Sequence, residues 1–191
     1  MNDREKELVD VVLAGKTEAF EPLVLPYRKS LLNIAHRITG NMEDAKEAAQ
    51  ETLMKAFKYL KSYDPNRSFR NWLFGILVNE ARNFRAERTN APLSLETDEG
   101  TERGLAANGP APGDAYAAGE TRSRLMECLT VLTAREKEVF LLRDIEQLSI
   151  TEAAEILKIS SISVRVNLSR ARKKVKEAIL TECPHLAEDA R

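Results

Sequence analysis

The sequence predicts an all-α protein of two small helical domains joined by a flexible acidic linker, the second a helix-turn-helix domain. Three observations predict it. Apolar residues recur at helical spacing on both sides of one Gly- and Pro-rich stretch. That stretch, "APLSLETDEGTERGLAANGPAPGDAYAAG", holds five of the eight glycines and three of the seven prolines. It has too few large apolar residues to offset the entropy of ordering it. No segment is rich in β-formers, apart from one short alternation at Ile162–Leu168 considered below. The boundaries follow: a first domain over 1–90, a linker over 91–121 and a second domain over 122–191.

In the first domain, Thr17 is placed to cap a helix through "AFEPLVLPYRKSLLNIAHRI", which Pro22 and Pro26 bend or delay. Asn41 caps the next helix, with Glu43 and Asp44 in its electropositive first turn. Its apolar positions Ala45, Ala49, Leu53, Ala56 and Leu60 keep helical spacing. "KSYDPNRS" is turn chemistry, and Ser68 caps a further helix that carries Trp72, Leu73, Ile76 and Leu77 inward. In the second domain, "TARE" (Thr133–Glu136) and "SITE" (Ser149–Glu152) both fit the capping box. Ser160 or Ser161 caps a last helix after a short turn.

Ile162, Val164, Val166 and Leu168 alternate with polar residues, which is strand periodicity. A lone strand has nothing to pair with. On a helix the same residues split, at about 100° per residue, into a seam (Val164, Leu168, Ala171, Val175) and an opposite face. That opposite face carries Ile162, Arg165, Val166, Ser169, Arg172, Lys173 and Lys176.

With 191 residues, 43% hydrophobic and 31% charged, the chain has an ordinary globular composition. No run reaches the ~18 apolar residues of a membrane span. The acidic N-terminus argues against a signal peptide, so a cytoplasmic protein with no membrane insertion of its own is expected. Cys128 and Cys183 read as reduced thiols, and Cys183 beside His185 is too few ligands for a metal site. No Gly-rich phosphate loop, H-E-x-x-H, G-x-S-x-G or paired-Cys motif occurs, so neither an enzyme nor a cofactor is expected.

The net charge of −1 hides its distribution. Residues 160–176 hold six basic side chains and no acid, residues 61–90 six basic and three acidic, and residues 91–121 six acids and one Arg. A phosphate backbone senses local potential, not the sum. The last helix, basic outside and preceded by a capped helix and a tight turn, suits a DNA major groove. There Arg165 pairs with a guanine edge and Val166 meets a thymine methyl, while Arg170, Arg172, Lys173 and Lys174 meet phosphates. The alternative is a solvated basic helix end favoured by the helix dipole. Asp44, Glu47 and Glu51, with Gln50 and Lys55 alongside, make an acidic helical face that is either solvated or a dock for a basic partner. Tyr63, Trp72, Asn79, Arg82, Asn83 and Arg85 interleave rings, amides and cations, a combination that suits unpaired nucleic acid. The alternative is that its aromatics are core.

Three segments in order resemble the bacterial RNA polymerase sigma factors of the extracytoplasmic-function group. "DAKEAAQETLMKAF" (residues 44–57) resembles the family's D-A-x-D-L-x-Q-E-x-F segment. "SFRNWLFGILVNEARNFRAER" (residues 68–88) resembles its F-x-x-W-L-x-x-I-A-x-N-x-x-x-D-x-x-R segment, with Asn83 where an acid is frequent. "LTAREKEVFLLRDIEQLSITEAAEILKISSISVRVNLSRARKKV" (residues 132–175) resembles its −35-reading domain, with Ile162 in place of Gly and Asn167 in place of Arg.

The resemblance implies binding to core RNA polymerase, β and β′ subunits, through Asp44, Glu47, Gln50, Glu51 and Lys55. It implies capture of melted −10 DNA by Tyr63, Phe69, Trp72, Asn79, Arg82, Asn83 and Arg85. It implies −35 contacts from Ser161, Ser163, Arg165, Val166, Asn167, Ser169, Arg170, Arg172, Lys173 and Lys174. An anti-sigma factor is implied as a further partner. The rival reading is a stand-alone helix-turn-helix regulator with a sensory or partner-binding N-terminal domain.

Overall fold

The computed structural model describes residues 3–89 and 129–182. The linker expected over 91–121, Cys128, Cys183 and His185 lie outside them. Among the described residues every regular element is helical and no helix is long and apolar enough to cross a membrane. They form two compact units, the first built mainly on the helices before Thr89 and the second mainly on those after Leu129.

In the first unit, α1 (Asp3–Leu13) buries Val9 and Val12. The chain then advances in short pieces: a 3-10 turn (Thr17–Ala19), α2 (Phe20–Val24) and a second 3-10 turn (Leu25–Tyr27). This corrects the single capped helix expected from Thr17. No side chain caps these turns. Pro22 and Pro26 lack the N–H that a continuous helix needs. The regular helix starts only at α3 (Arg28–Thr39), which Gly40 ends at φ +75° with its N–H 2.8 Å from the His36 carbonyl.

Asn41 caps α4 (Met42–Tyr59), its Oδ1 accepting from the Glu43 N–H at 2.8 Å. The buried seam of α4 is Ala45, Ala48, Thr52 and Ala56. Ala49 and Leu53, expected inside, are only half-buried. Thr52 is admitted because its Oγ1 donates to the Ala48 carbonyl at 2.6 Å, which satisfies the hydroxyl within the helix. Small side chains let α4 lie close to both α3 and α5 (Phe69–Thr89), and these three helices pack mutually. Ser68 caps α5 by accepting from the Asn71 N–H at 3.3 Å. Phe69, Leu73, Phe74, Leu77 and Val78 are buried, whereas Trp72 and Ile76 are half-exposed, which corrects their inward assignment. Both lie at the edge of the core arc set by the other five.

The second unit keeps the expected punctuation. Thr133 and Glu136 form a reciprocal capping box at the head of α6 (Ala134–Phe140). The chain runs on into a π-helical turn, Leu141–Ile145, unannounced in the sequence. Ser149 and Glu152 form a second box: the Ser149 N–H donates to Glu152 Oε2 at 2.8 Å and the Glu152 N–H to Ser149 Oγ at 3.2 Å. They open α7 (Ile150–Leu157). A three-residue connection with Lys158 at φ +55° follows. Ser160 then caps α8 (Ser161–Glu182), its Oγ accepting from the Ser163 N–H at 3.1 Å. Val164, Leu168, Ala171 and Val175 are all buried, as the helical reading requires, and α6 packs against α8.

Buried acids fasten helices together in each unit. Lys55 on α4 donates to Glu80 on α5 at 2.5 Å, and Lys174 on α8 donates to Glu136 on α6 at 2.7 Å. Burial alone raises the Glu136 carboxyl. The Lys174 ammonium and the Thr133 N–H and hydroxyl outweigh that and hold it below its ordinary value of 4.5. A depressed carboxylate contributes stability that is present above the unfolded pKa and lost as pH falls through the folded one.

Two outcomes follow. Glu136→Gln lowers stability at neutral pH by roughly 1–3 kcal/mol. It also flattens the loss of stability below pH 4.5, read from urea melts at stepped pH. Lys55→Met leaves Glu80 unpaired and costs roughly 1–3 kcal/mol in urea unfolding, of which Glu80→Gln on the same background recovers part.

Candidate polymerase and nucleic-acid interfaces

Three polar surfaces were expected, on α4, α5 and α8. On α4 the expected docking set divides. Asp44 accepts from Arg88 on α5 at 2.8 Å, and Lys55 is held by Glu80. Contact with Glu80 raises the Lys55 ammonium, so it stays charged. Both are therefore ties between α4 and α5. Glu47 and Gln50 are exposed, and Glu51 is half-buried beside them. Met54 and Phe57 are exposed on the same helix, and the Phe57 ring meets Phe20 of α2 edge-on at 5.1 Å. The surface offered by α4 is acidic with apolar neighbours.

On α5 the aromatics sort by burial. Phe69 is fully buried and Tyr63 is 6% exposed, so neither has a ring face open to a base. They form the floor beneath Trp72. Their rings and that of Trp72 lie 5.1–5.7 Å apart. The Tyr63 hydroxyl donates to the Arg67 carbonyl at 2.6 Å, inside a loop turned by Asp64, whose Oδ1 accepts from the Asn66 N–H at 2.9 Å. Burial, with Glu5 and Asp64 nearby, pushes the Tyr63 phenol up to about 12, so it remains a donor.

Trp72 is thus the ring of the three that is partly presented outward, packed against two buried neighbours whose planes are tilted 44–48° from its own. At about 100° per residue, Trp72, Ile76, Asn79 and Asn83 make one stripe, which Arg82 flanks. Arg85 falls about 140° from Trp72, and the helix does not bring it to this stripe. Asn79 is exposed and Asn83 half-buried; Arg82 and Arg85 are half-buried and already hold partners.

On α8 the outer face carries Ile162, Arg165, Val166, Ser169, Arg170, Arg172, Lys173 and Lys176, all exposed, with Ser161 and Ser163 half-buried at its start. Asn167 departs from this set. It is 6% exposed and its Nδ2 donates to the Ser163 carbonyl at 2.9 Å, so its amide is turned back on the helix. Arg172 and Lys174 are engaged by acids of the same unit. Arg172 grips Asp144 through Nε at 2.9 Å and Nη2 at 2.6 Å, and Lys174 is held by Glu136. The bond to Asp144 raises the Arg172 guanidinium further. Among the described residues, no ion pair engages Arg165 or Arg170. Lys173 is only 4.0 Å from an exposed Glu177.

Sequence reasoning missed the acids that hold these cations: Glu80, Glu136 as a partner of Lys174, and Asp144. Glu136 was visible as half of a capping box. The pairings themselves span 25, 38 and 28 residues and leave no periodic trace.

Two family models match this chain: Sigma-70 region 2 over residues 23–90 and Sigma-70 region 4 over residues 122–175. ECF RNA polymerase sigma factor SigW of Bacillus subtilis is 28% identical, with 91% of this chain and 96% of that protein covered. RNA polymerase sigma factor CnrH of Cupriavidus metallidurans is 30% identical, with 91% and 93% covered. The solved structure of CnrH in complex with the cytosolic domain of CnrY superposes with a TM-score of 0.70 at 25% identity, over 94% of this chain and 99% of that one. The chain belongs to the RNA polymerase sigma factors of the extracytoplasmic-function group.

Proposed function

We propose that this sigma factor binds core RNA polymerase through the outer face of α4, reads duplex −35 DNA with α8 and captures melted −10 DNA along α5. The observation that carries the reading is the outer face of α8. Two capping boxes, a three-residue turn and the Ser160 cap set that helix, and no acid lies on it between residues 160 and 176. Arg165 reaches a guanine edge, and Arg170, Lys173 and Lys176 lie over phosphates. Arg172 and Lys174, tied to Asp144 and Glu136, act as braces.

On α5, Trp72 offers a stacking face beside the amides of Asn79 and Asn83. Extruding a base costs a few kcal/mol. Stacking returns about 1–3 kcal/mol per base. The balance favours melting only where edge contacts add to stacking, which is the work assigned to the two amides. Glu47, Gln50 and Glu51 with Met54 form the polymerase-facing surface. CnrH is solved with the cytosolic domain of CnrY on it. We extend this to a protein partner of the same kind, an anti-sigma factor, for this chain.

A gel shift of the chain alone against reconstituted holoenzyme tests the whole. Only holoenzyme shifts a promoter duplex at nanomolar concentration; tight, specific binding by the chain alone returns the stand-alone regulator.

Arg165→Ala weakens −35 selection about tenfold in competition binding while leaving holoenzyme assembly intact. Asn79→Ala keeps polymerase and duplex affinity but lowers permanganate reactivity of unpaired −10 thymines. Glu47→Lys lowers core affinity at least about tenfold by like-charge approach to a basic partner, seen as free chain on gel filtration with core.

A further inference from the structure

Ile162 and Val166 stand on the face of α8 that points away from its core. Ile162 is 70% exposed and Val166 42% exposed, one helical turn apart. At about 100° per residue, Ile162 lies roughly 120–180° from the four seam residues, while Arg165, Val166, Ser169 and Lys173 fall within about 60° of it. It is the centre of the exposed face, with cations on either side. Ile162 in particular contributes little burial to the fold for its size. The polar groups that share these two turns are engaged locally. Ser163 gives its N–H to Ser160 Oγ and pairs its own Oγ with it at 3.0 Å, and Asn167 is turned back to Ser163. What this part of α8 presents outward is therefore two branched apolar groups and the Arg165 guanidinium.

In a major groove one apolar group alone marks a base-pair edge, the 5-methyl of thymine. We propose that Ile162 and Val166 are specificity-determining residues that read thymine methyl groups within the −35 element, with Ile162 as the principal contact. The inference rests on the reading that α8 enters that duplex. The chemistry discriminates in a simple way. A thymine methyl packed against Ile162 loses water from both surfaces. Uracil in the same position keeps every hydrogen-bonding group and loses only that contact. Burying one methyl corresponds to about fourfold in affinity.

The test uses holoenzyme assembled from the full chain. It first selects −35 elements from a duplex pool randomised across that region. The best duplex is then remade with deoxyuridine in place of each thymine of the element, and affinities are compared by fluorescence anisotropy. Thymine is expected to be enriched at one or two positions, and deoxyuridine there to weaken the native holoenzyme about fourfold per position. Ile162→Ala is expected to abolish that sensitivity at one position and Val166→Ala to reduce it, with the dependence on Arg165 kept.

Equal affinity for thymine and deoxyuridine duplexes overturns the inference, as does unchanged sensitivity in Ile162→Ala. Because deoxyuridine leaves the protein untouched, a folding defect cannot imitate either result. Selection of no −35 element at all, or selection indifferent to Arg165→Ala, overturns the reading beneath it as well.

Discussion

The Glu136 carboxylate holds the second unit together. One Oε2 atom accepts from the Thr133 N–H, closing the head of α6, and from Lys174, two-thirds of the way along α8. It thus binds a helix start to the body of another helix through one nearly buried charge. A carboxylate so deeply placed is tolerable only when its lone pairs are used, and here the cap and the ammonium use them. Asp144 repeats the device further along: the π-helical turn at Leu141–Ile145 carries it to the guanidinium of Arg172. Apolar packing of Val164, Leu168, Ala171 and Val175 supplies adhesion between α6 and α8 but resists sliding or rotation weakly. Two ion pairs, only two residues apart but on opposite flanks of α8, add to that packing on either side of the seam.

The same arrangement governs how much of the basic charge is available. Six cations follow Ser160, yet Arg172 and Lys174 are matched by acids of their own unit. Four are left to meet a polyanion: Arg165, Arg170, Lys173 and Lys176. Each phosphate neutralised adds about 0.9 to the slope of log affinity against log salt. The charge count of the sequence therefore overstates the electrostatic share of binding by up to a third.

The sequence was legible where signals are local. The caps at Asn41, Ser68, Thr133, Ser149 and Ser160 are i to i+2 or i+3 events, and each forms as its spacing implies. The α8 seam was equally plain, because four apolar residues at helical spacing have one way to be buried. The depth of Tyr63 and Phe69 was not legible because residue type does not state depth: aromatic rings beside amides look the same in the chain whether they form a floor or a surface. The back-bond of Asn167 to the Ser163 carbonyl was not legible because it competes with outward reach, and only side-chain conformation decides between them. The ion pairs were invisible because they close across helices.

These distinctions separate what holds the protein from what touches its targets. On α5, the Phe69 and Tyr63 rings pack against Trp72, so a substitution at the floor reaches the outer ring through packing. On α8, Ala171 and Val175 set the helix, while Ile162, Arg165, Val166 and Ser169 occupy positions that the fold does not need filled in any particular way. A side chain there can change at little cost to stability, since exposed positions away from caps and cores shift it by no more than about 0.5 kcal/mol. The outer face of α8 is therefore the part of the second unit in which side chains are exchanged at least cost to the fold. Nothing in the packing of α6 against α8 asks for the branched apolar residue at its centre, so the reason for Ile162 lies outside the packed core.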